Sequence, residues 1–326
     1  MPDLLELPRL EIDATVDDPL LVLEVSRRDS PKGAFTVLTL GNATGRLQSA
    51  PFWSSREAEV TGIAKGHVVH VVGKVSMYRE AKQLEVKSLR PLLADTIDWT
   101  TLLPNVGDVE PYWKRLDELR TTIKGPRLRA VLDLFYCDDG FRRRFEQCPA
   151  ATMGHHAELG GLLRHTWEVA YVGKSIAKVY RRADPDLVVA GAMLHDIGKL
   201  ESYRWSGAFE MTEAGSLIGH VALGMLMVER RLQETVPAPC TDSERLLLLH
   251  LVASHHGRLE HGATAQPMTL EAEILHFADN TSAKAESMTT ALGSEDLFQG
   301  DALVSARGQW TLDNRKVFRG TSDWGR

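Results

Sequence analysis

The chain has 326 residues, 43% hydrophobic and 25% charged, the balance of a globular protein long enough for two domains. A formal net charge of −6 excludes a molecule that is basic throughout, and the wide spacing of Cys137, Cys148 and Cys240 excludes a disulfide framework or a CxxC metal site. No basic-then-apolar leader opens the sequence and no run nears the roughly 20 apolar residues of a membrane span, so the expectation is a cytoplasmic protein with free thiols.

In chain order, residues 1–18 form an acidic N-terminal segment with six acids and one arginine. The balance then reverses: residues 19–92 hold 11 Lys and Arg against 6 Asp and Glu. Residues 19–95 read as a β domain. Strands are expected at 20–28, 34–40, 46–53, 67–78 and 83–89, where Val, Leu and aromatics alternate with polar residues. "DSPKG" (29–33) and "GNATG" (41–45) supply turns, and "SSREAEVTGIAKG" (54–66) a short helix closed by glycine. Three strands, a helix and two strands is the order of an OB-fold, and the inserted helix favours it over an SH3-like barrel. Such barrels hold single strands in a basic groove with aromatic platforms. Lys32, Arg46, Lys74, Arg79, Lys82 and Lys87 are the candidates for phosphate contact, and Phe35, Trp53 and Tyr78 for stacking. Phe35 and Trp53 better suit a barrel core, which leaves Tyr78 as the best stacking candidate.

Residues 96–150 read as a helical linker: a loop at "LLPNVGDVEPYW", then helices over 112–123 and 127–148. Residues 151–290 read as an all-α domain. In 160–180 a stripe at 162, 165, 169, 172, 176 and 179 recurs in steps of three and four residues, as one face of a helix does, and five of its members are Leu, Val or Ile. The sixth is His165. Asp184 caps a helix whose last turn carries His195 and Asp196. Leu217, His220, Gly224 and Val228 share a helical face. Thr241 and Glu244 form a capping box for a helix that ends in His255-His256, and Asp279 lies with Leu275 and Ala283. Residues 291–326 are a C-terminal tail with no role legible in the sequence. Gly160-Gly161 fits either a close approach of substrate or tight packing.

One histidine on an apolar face is ordinarily a satisfied core residue. Four histidines and two aspartates on five helices are better explained together, because imidazole and carboxylate both ligate a metal ion. The order His, His-Asp, His, His, Asp resembles the HD-domain superfamily of metal-dependent phosphohydrolases. The resemblance implies that His165, His195, Asp196 and Asp279 hold a first ion, that Asp196 bridges to a second, and that His220 and His255 complete its shell. His256 stands as a ligand or as a partner of one, and His155 and His156 as lining of the site or as structural residues. Lys199 matches the lysine of the HDxxK form, beside the reacting phosphate. Such a centre makes a metal-activated hydroxide near neutral pH, and its paired cations stabilise the attacking and leaving oxygens. Mixed nitrogen and oxygen ligation favours manganese (Mn²⁺) or Fe, with Co, Ni and Mg as the other divalent options, over a closed zinc site.

The barrel, the helical linker and "CPAATMGHHAELGGLLRHTWEVA" (148–170) together resemble the YhaM-type 3′-to-5′ exoribonucleases. The segments "FTVLTLGNATGRLQSAPFW" (35–53), "YREAKQLEVKSLRPL" (78–92), "GAMLHDIGKL", "VASHHG", "LHFADNTSAK" and the short "WTLDNRKVF" (310–318) also match that pattern. The resemblance covers most of 19–290 and implies Mn²⁺-dependent removal of nucleotides from single-stranded 3′ ends. The competing expectations are an HD phosphohydrolase of small nucleotides and a non-catalytic single-strand-binding protein. RNA against DNA as substrate, and a homo-oligomer against a monomer, stay open.

Overall fold

The computed structural model describes residues 4–31, 33–93, 96–154 and 156–320. Lys32 and His155 lie outside the described residues. The chain divides into two compact units, Met1–Asn105 with Trp205–Ala208, and Val106–Arg204 with Phe209–Arg326.

The first unit is a closed barrel. Strands β1 (Thr15–Ser30), β2 (Gly33–Asn42) and β3 (Gly45–Ser49) form a meander, followed by β4 (Phe52–Trp53), the short helix α1 (Glu57–Val60), β5 (Val68–Tyr78) and β6 (Ala81–Pro91). β1 serves two neighbours: Thr15–Leu21 pair with β5, and Leu21–Ser30 pair with β2, the register shifting between Val22 and Glu24. β6 pairs antiparallel with β5 and, at Gln48–Gln83 and Ser49–Leu84, parallel with β3. That parallel pair closes the sheet into the OB arrangement. Leu20, Leu38, Leu40, Phe52, Val71 and Leu84 fill the interior.

The expected strand at 46–53 is in fact two. Pro51 has no N–H to give a ladder, and pairing stops at Ala50 before resuming at Phe52. Of the last pair, Phe52 enters the core, while Trp53 packs on Phe35 with ring centroids 4.9 Å apart. The acidic segment is tied into the barrel. Leu7 is fully buried, its N–H donates to Thr44 Oγ1 (3.0 Å), and Asn42 Nδ2 donates to the Leu5 carbonyl (2.7 Å). The helix α2 (Trp99–Leu102), capped by Asp98, ends this unit.

The second unit is helical: α3 (Glu110–Thr121), α4 (Pro126–Tyr136), α5 (Asp139–Phe145), α6 (Gly161–Ala177), α7 (Pro185–Leu194), α8 (Lys199–Ser202), α9 (Glu213–Ile218), α10 (His220–Gln233), α11 (Asp242–Ser254) and α12 (Leu270–Leu292). A two-stranded ribbon, β7 (Tyr203–Arg204) with β8 (Glu210–Met211), sits between α8 and α9. The stretch expected as one helix over 127–148 breaks at Cys137. Asp138 turns out to be an N-cap, its side chain accepting from the Phe141 N–H. Trp113, Tyr136, Phe141 and Phe145 pack their rings around that break.

Two further periodicities differ from expectation. The stripe on α6 holds at Leu162, His165 and Val169. It then drifts to Gly173 and Ala177 and leaves Val179, beyond the helix end, 77% exposed. The six positions step by 3, 4, 3, 4 and 3 residues, whereas a straight helix turns every 3.6, so the stripe loses register within a few turns. Leu217 does not share the face of His220, because Gly219 at φ 80° separates α9 from α10, and Leu217 is 85% exposed. The Thr241–Glu244 capping box forms as expected. After α12, Leu297, Phe298, Leu312 and Val317 gather on Ala291 in a small satellite core. Among the described residues no helix is long and apolar enough to cross a membrane.

Candidate metal centre

Five helices of the second unit converge on Asp196. α6 supplies His165 from its middle, and α7 delivers His195 and Asp196 just past its C-terminus. α10 begins at His220, α11 ends at His255-His256, and α12 contributes Asp279. His165 Nε2 lies 3.4 Å from Asp196 Oδ2 and 3.1 Å from Asp279 Oδ1. His195 Nε2 is 3.1 Å from Asp196 Oδ2. On the other carboxylate oxygen, Oδ1, His220 Nε2 stands at 3.3 Å and His255 Nε2 at 3.7 Å. The two oxygens of Asp196 therefore face different histidine sets.

The imidazoles are oriented from behind. Nδ1 of His195 donates to the Ala192 carbonyl, that of His255 to Val252 and that of His256 to His261, each at 2.7 Å. A carbonyl only accepts, so the Nδ1 proton is fixed and the Nε2 lone pair is left for the centre. His165 Nδ1 meets Ser282 Oγ at 3.0 Å instead.

Three groups of ligand atoms lie within 4.8 Å of one another: His165, His195 and Asp279; His195, Asp196 and His255; and His220, His255 and His256. Asp196 Oδ1, His220 Nε2 and His255 Nε2 are buried with no hydrogen-bond partner. Unpaired buried acceptors of this kind are costly unless a cation is held between them. The donor set thus fits one or two divalent ions.

The electrostatics follow from the crowding. Burial alone would raise the Asp196 carboxyl, but the charges of His195 and Lys199 and the hydrogen bonds of the imidazoles hold it well below the ordinary carboxylate range. Asp279 is lowered in the same way, burial being outweighed by His165 and the neighbouring imidazoles. For His165, burial acts downward, and hydrogen bonds to Asp196 and Asp279 overcome it, raising it to about 9, so a cation held between those carboxylates would take the place of its Nε2 proton and leave the one on Nδ1. His220 is driven down to about 3, chiefly by burial. The two aspartates are therefore ionised and His220 is neutral at pH 7, the forms that ligate. Lys199 Nζ donates to Asp196 Oδ2 at 2.6 Å, and Asp196 holds its ammonium charged against burial.

Backbone contact sets the frame. A Cβ on Gly198 would overlap the His220 carbonyl oxygen and the Gly224 nitrogen, so the turn after Asp196 lies directly on the start of α10. A Cβ on Gly161 would overlap the His156 carbonyl, which gives Gly160-Gly161 a packing role.

The remaining expected residues lie as follows. His156 is buried behind His165, its ring 5.3 Å away and its Nε2 3.2 Å from Glu168 Oε2. In the barrel, Arg46 and Lys87 are exposed. Tyr78 is 58% exposed with the Arg79 guanidinium 5.4 Å above its ring. Arg79 and Glu80 form the two-residue β5–β6 turn with φ of 46° and 66°, a left-handed pair usually reserved for Asn and Gly. Lys74 pairs with Asp13 at 2.9 Å, and Lys82 Nζ donates to the Leu10 carbonyl at 2.7 Å and to Pro8 at 3.3 Å, so both are engaged within the barrel. Phe35 and Trp53 pack on each other. The sequence reading missed Glu168 and Ser282. Their one signal is spacing: each follows a ligand candidate by three residues, Glu168 after His165 and Ser282 after Asp279.

The HD domain family matches residues 162–284. The chain is 30% identical to the 3′-5′ exoribonuclease YhaM of Bacillus subtilis over 95% of its own length and 96% of the relative's. It is 32% identical to the protein of that name from Shouchella clausii, over 94% of each chain. A third relative of that name, from Halalkalibacterium halodurans, is 32% identical over 87% of this chain and 86% of its own. No solved structure matches the chain.

Proposed function

The chain belongs to the YhaM family of 3′-5′ exoribonucleases, and on that premise we propose that it removes nucleotides from the 3′ end of single-stranded RNA with two divalent ions, Mn²⁺ foremost, at the centre around Asp196. The observation that carries the reading is the inward set of Nε2 atoms on both sides of one buried carboxylate. His165, His195, Asp196 and Asp279 would hold one ion, and Asp196, His220, His255 and His256 the other. When bound, the ions supply Lewis acidity toward the phosphoryl oxygens and acidify a water molecule.

The protein's own groups do the rest. His220, His256 and Asp279 are only half-buried, so the phosphodiester reaches the centre on their side. Lys199 carries a fixed positive charge beside Asp196, where it can lean toward a phosphoryl oxygen that gains charge. The barrel holds the strand: Tyr78 and Arg79 project from a turn whose backbone is fixed by pairing on both sides, a platform for one base and one phosphate. No GxxxxGK[ST] loop is present, so no nucleotide-driven motor opens duplexes. A base-pair step costs on the order of 1–2 kcal/mol to open, and the enzyme should stall at stable stems.

One gel tests this. A hairpin RNA with a 3′ overhang is trimmed to a short stub with Mn²⁺ and left intact with EDTA. The same hairpin with only a 5′ overhang stays whole. Trimming confined to the 5′ overhang would overturn the polarity, and hydrolysis of mononucleotides with both RNAs intact would overturn the exonuclease reading.

A further inference from the structure

His165 differs from three other imidazoles of the centre in what stands behind it. His195, His255 and His256 face carbonyls, which cannot return a proton. His165 faces the Ser282 hydroxyl, which can accept or donate. That contact by itself allows the proton on either ring nitrogen.

The next contact decides. Ser282 Oγ is 2.7 Å from Glu168 Oε2, and an ionised carboxylate only accepts, so the single hydroxyl proton points to Glu168. Burial would raise Glu168, but His156, Ser282 and Arg164 outweigh it and bring it down to about 2. Its second oxygen receives Arg164 Nε at 3.0 Å, and Arg164 is itself anchored by Glu158 at 3.2 Å and by Glu286. Glu168 is thus held with one oxygen on an arginine and the other on a histidine and a serine. With its proton committed, Ser282 Oγ can only accept from His165 Nδ1–H.

We propose that Glu168, acting through Ser282, is a positioning residue that fixes the proton of His165 on Nδ1 and so keeps the Nε2 lone pair for a divalent cation between Asp196 and Asp279. The inference rests on the reading of His165 as a metal ligand. The chain of bonds crosses from α6 to α12 and back, so it also locks the two helices that bring His165 and Asp279 together.

Glu168→Gln separates this role from packing. The amide keeps the shape of the side chain, but Arg164 Nε can only donate and demands an acceptor on its side, whereas His156 Nε2 can accept once its ring proton moves to Nδ1, so the NH2 turns toward Ser282 and His156. The hydroxyl then donates to His165 Nδ1 and drives the ring proton onto Nε2. Mn²⁺ binding to the metal-stripped full chain is measured by calorimetry, with circular dichroism as the check on folding. Glu168→Gln is expected to weaken one site roughly 10- to 100-fold. Ser282→Ala should weaken it as well. The double variant should be no weaker than Ser282→Ala alone, since the carboxylate acts only through the hydroxyl. Wild-type affinity in Glu168→Gln, or an additive loss in the double variant, overturns the relay. His165→Ala separates the two ideas. Lost affinity there with none lost in Glu168→Gln sinks the relay alone, whereas unchanged affinity in His165→Ala sinks the ligand reading and the relay with it.

Discussion

Two lysines show how the two units differ. Lys82 of the barrel reaches back to the carbonyls of Pro8 and Leu10, partners that any chain segment could offer. Lys199 of the helical unit is buried against one carboxylate that four imidazoles also face. In the barrel, charge lies on the surface and is settled pair by pair. In the helical unit, polar groups lie inside, and each is satisfied only if the others are in place. The lesson is about cost: an exposed lysine can be placed almost anywhere, while a buried aspartate dictates its surroundings. Substitutions should therefore fail differently in the two places.

The largest effect is expected at Asp196. Asp196→Asn should lose bound metal by elemental analysis and all detectable trimming, while the helical dichroism survives. Full turnover in a folded, pure variant would show that the carboxylate is not shared between ions. Lys199→Ala tests the same cluster one step out: metal content stays, and turnover falls by about 10²- to 10³-fold, as for loss of one charge-stabilising donor.

The barrel should respond less, and in KM rather than in turnover. Tyr78→Ala removes one stacking surface, worth about 1–3 kcal/mol of strand binding, with metal content unchanged. Lys82→Met sharpens the contrast. Its donor is already engaged, so the expected loss is on the order of 1 kcal/mol of barrel stability per bond in chemical unfolding, with RNA affinity intact. A large drop in RNA affinity would mean that Lys82 leaves its carbonyls for phosphate.

The smallest effect appears only in alkali. Tyr136 is fully buried, its hydroxyl donating to the Met193 carbonyl at 2.7 Å. Burial, assisted by the Asp117 charge against that of Arg142, raises its phenol well above the ordinary value. The folded state holds the neutral form, so this contribution is complete below the unfolded value near 10 and is lost as pH rises from there through the folded value. Stability of the helical unit should fall across that window, and Tyr136→Phe should flatten the fall.

The same contrast explains what could be read from the residues alone. His165 was visible because it interrupts an apolar stripe, and Thr241–Glu244 because both halves of the capping box are three residues apart. The barrel order was visible because strand alternation and turn glycines are local. Glu168 was not, since the hydroxyl that gives it meaning lies 114 residues away, and the partners of Lys82 lie 72 and 74 away. Gly219 read as one more small residue within a helical run, because only its left-handed backbone shows that the run is broken. Local pattern reveals that a polar group is out of place, and only the fold reveals who receives it.

Gly198 carries one more consequence. With no side chain between the turn after Asp196 and the first turn of α10, the span from that carboxylate to His220 is gauged by the thickness of two peptide planes. Side chains can swing, and a distance kept by rotamers has slack. A distance kept by stacked peptides has almost none, so the spacing between the two halves of the centre behaves like a machined shim, and the smallest added methyl, Gly198→Ala, would act as a spacer inserted into the gauge itself.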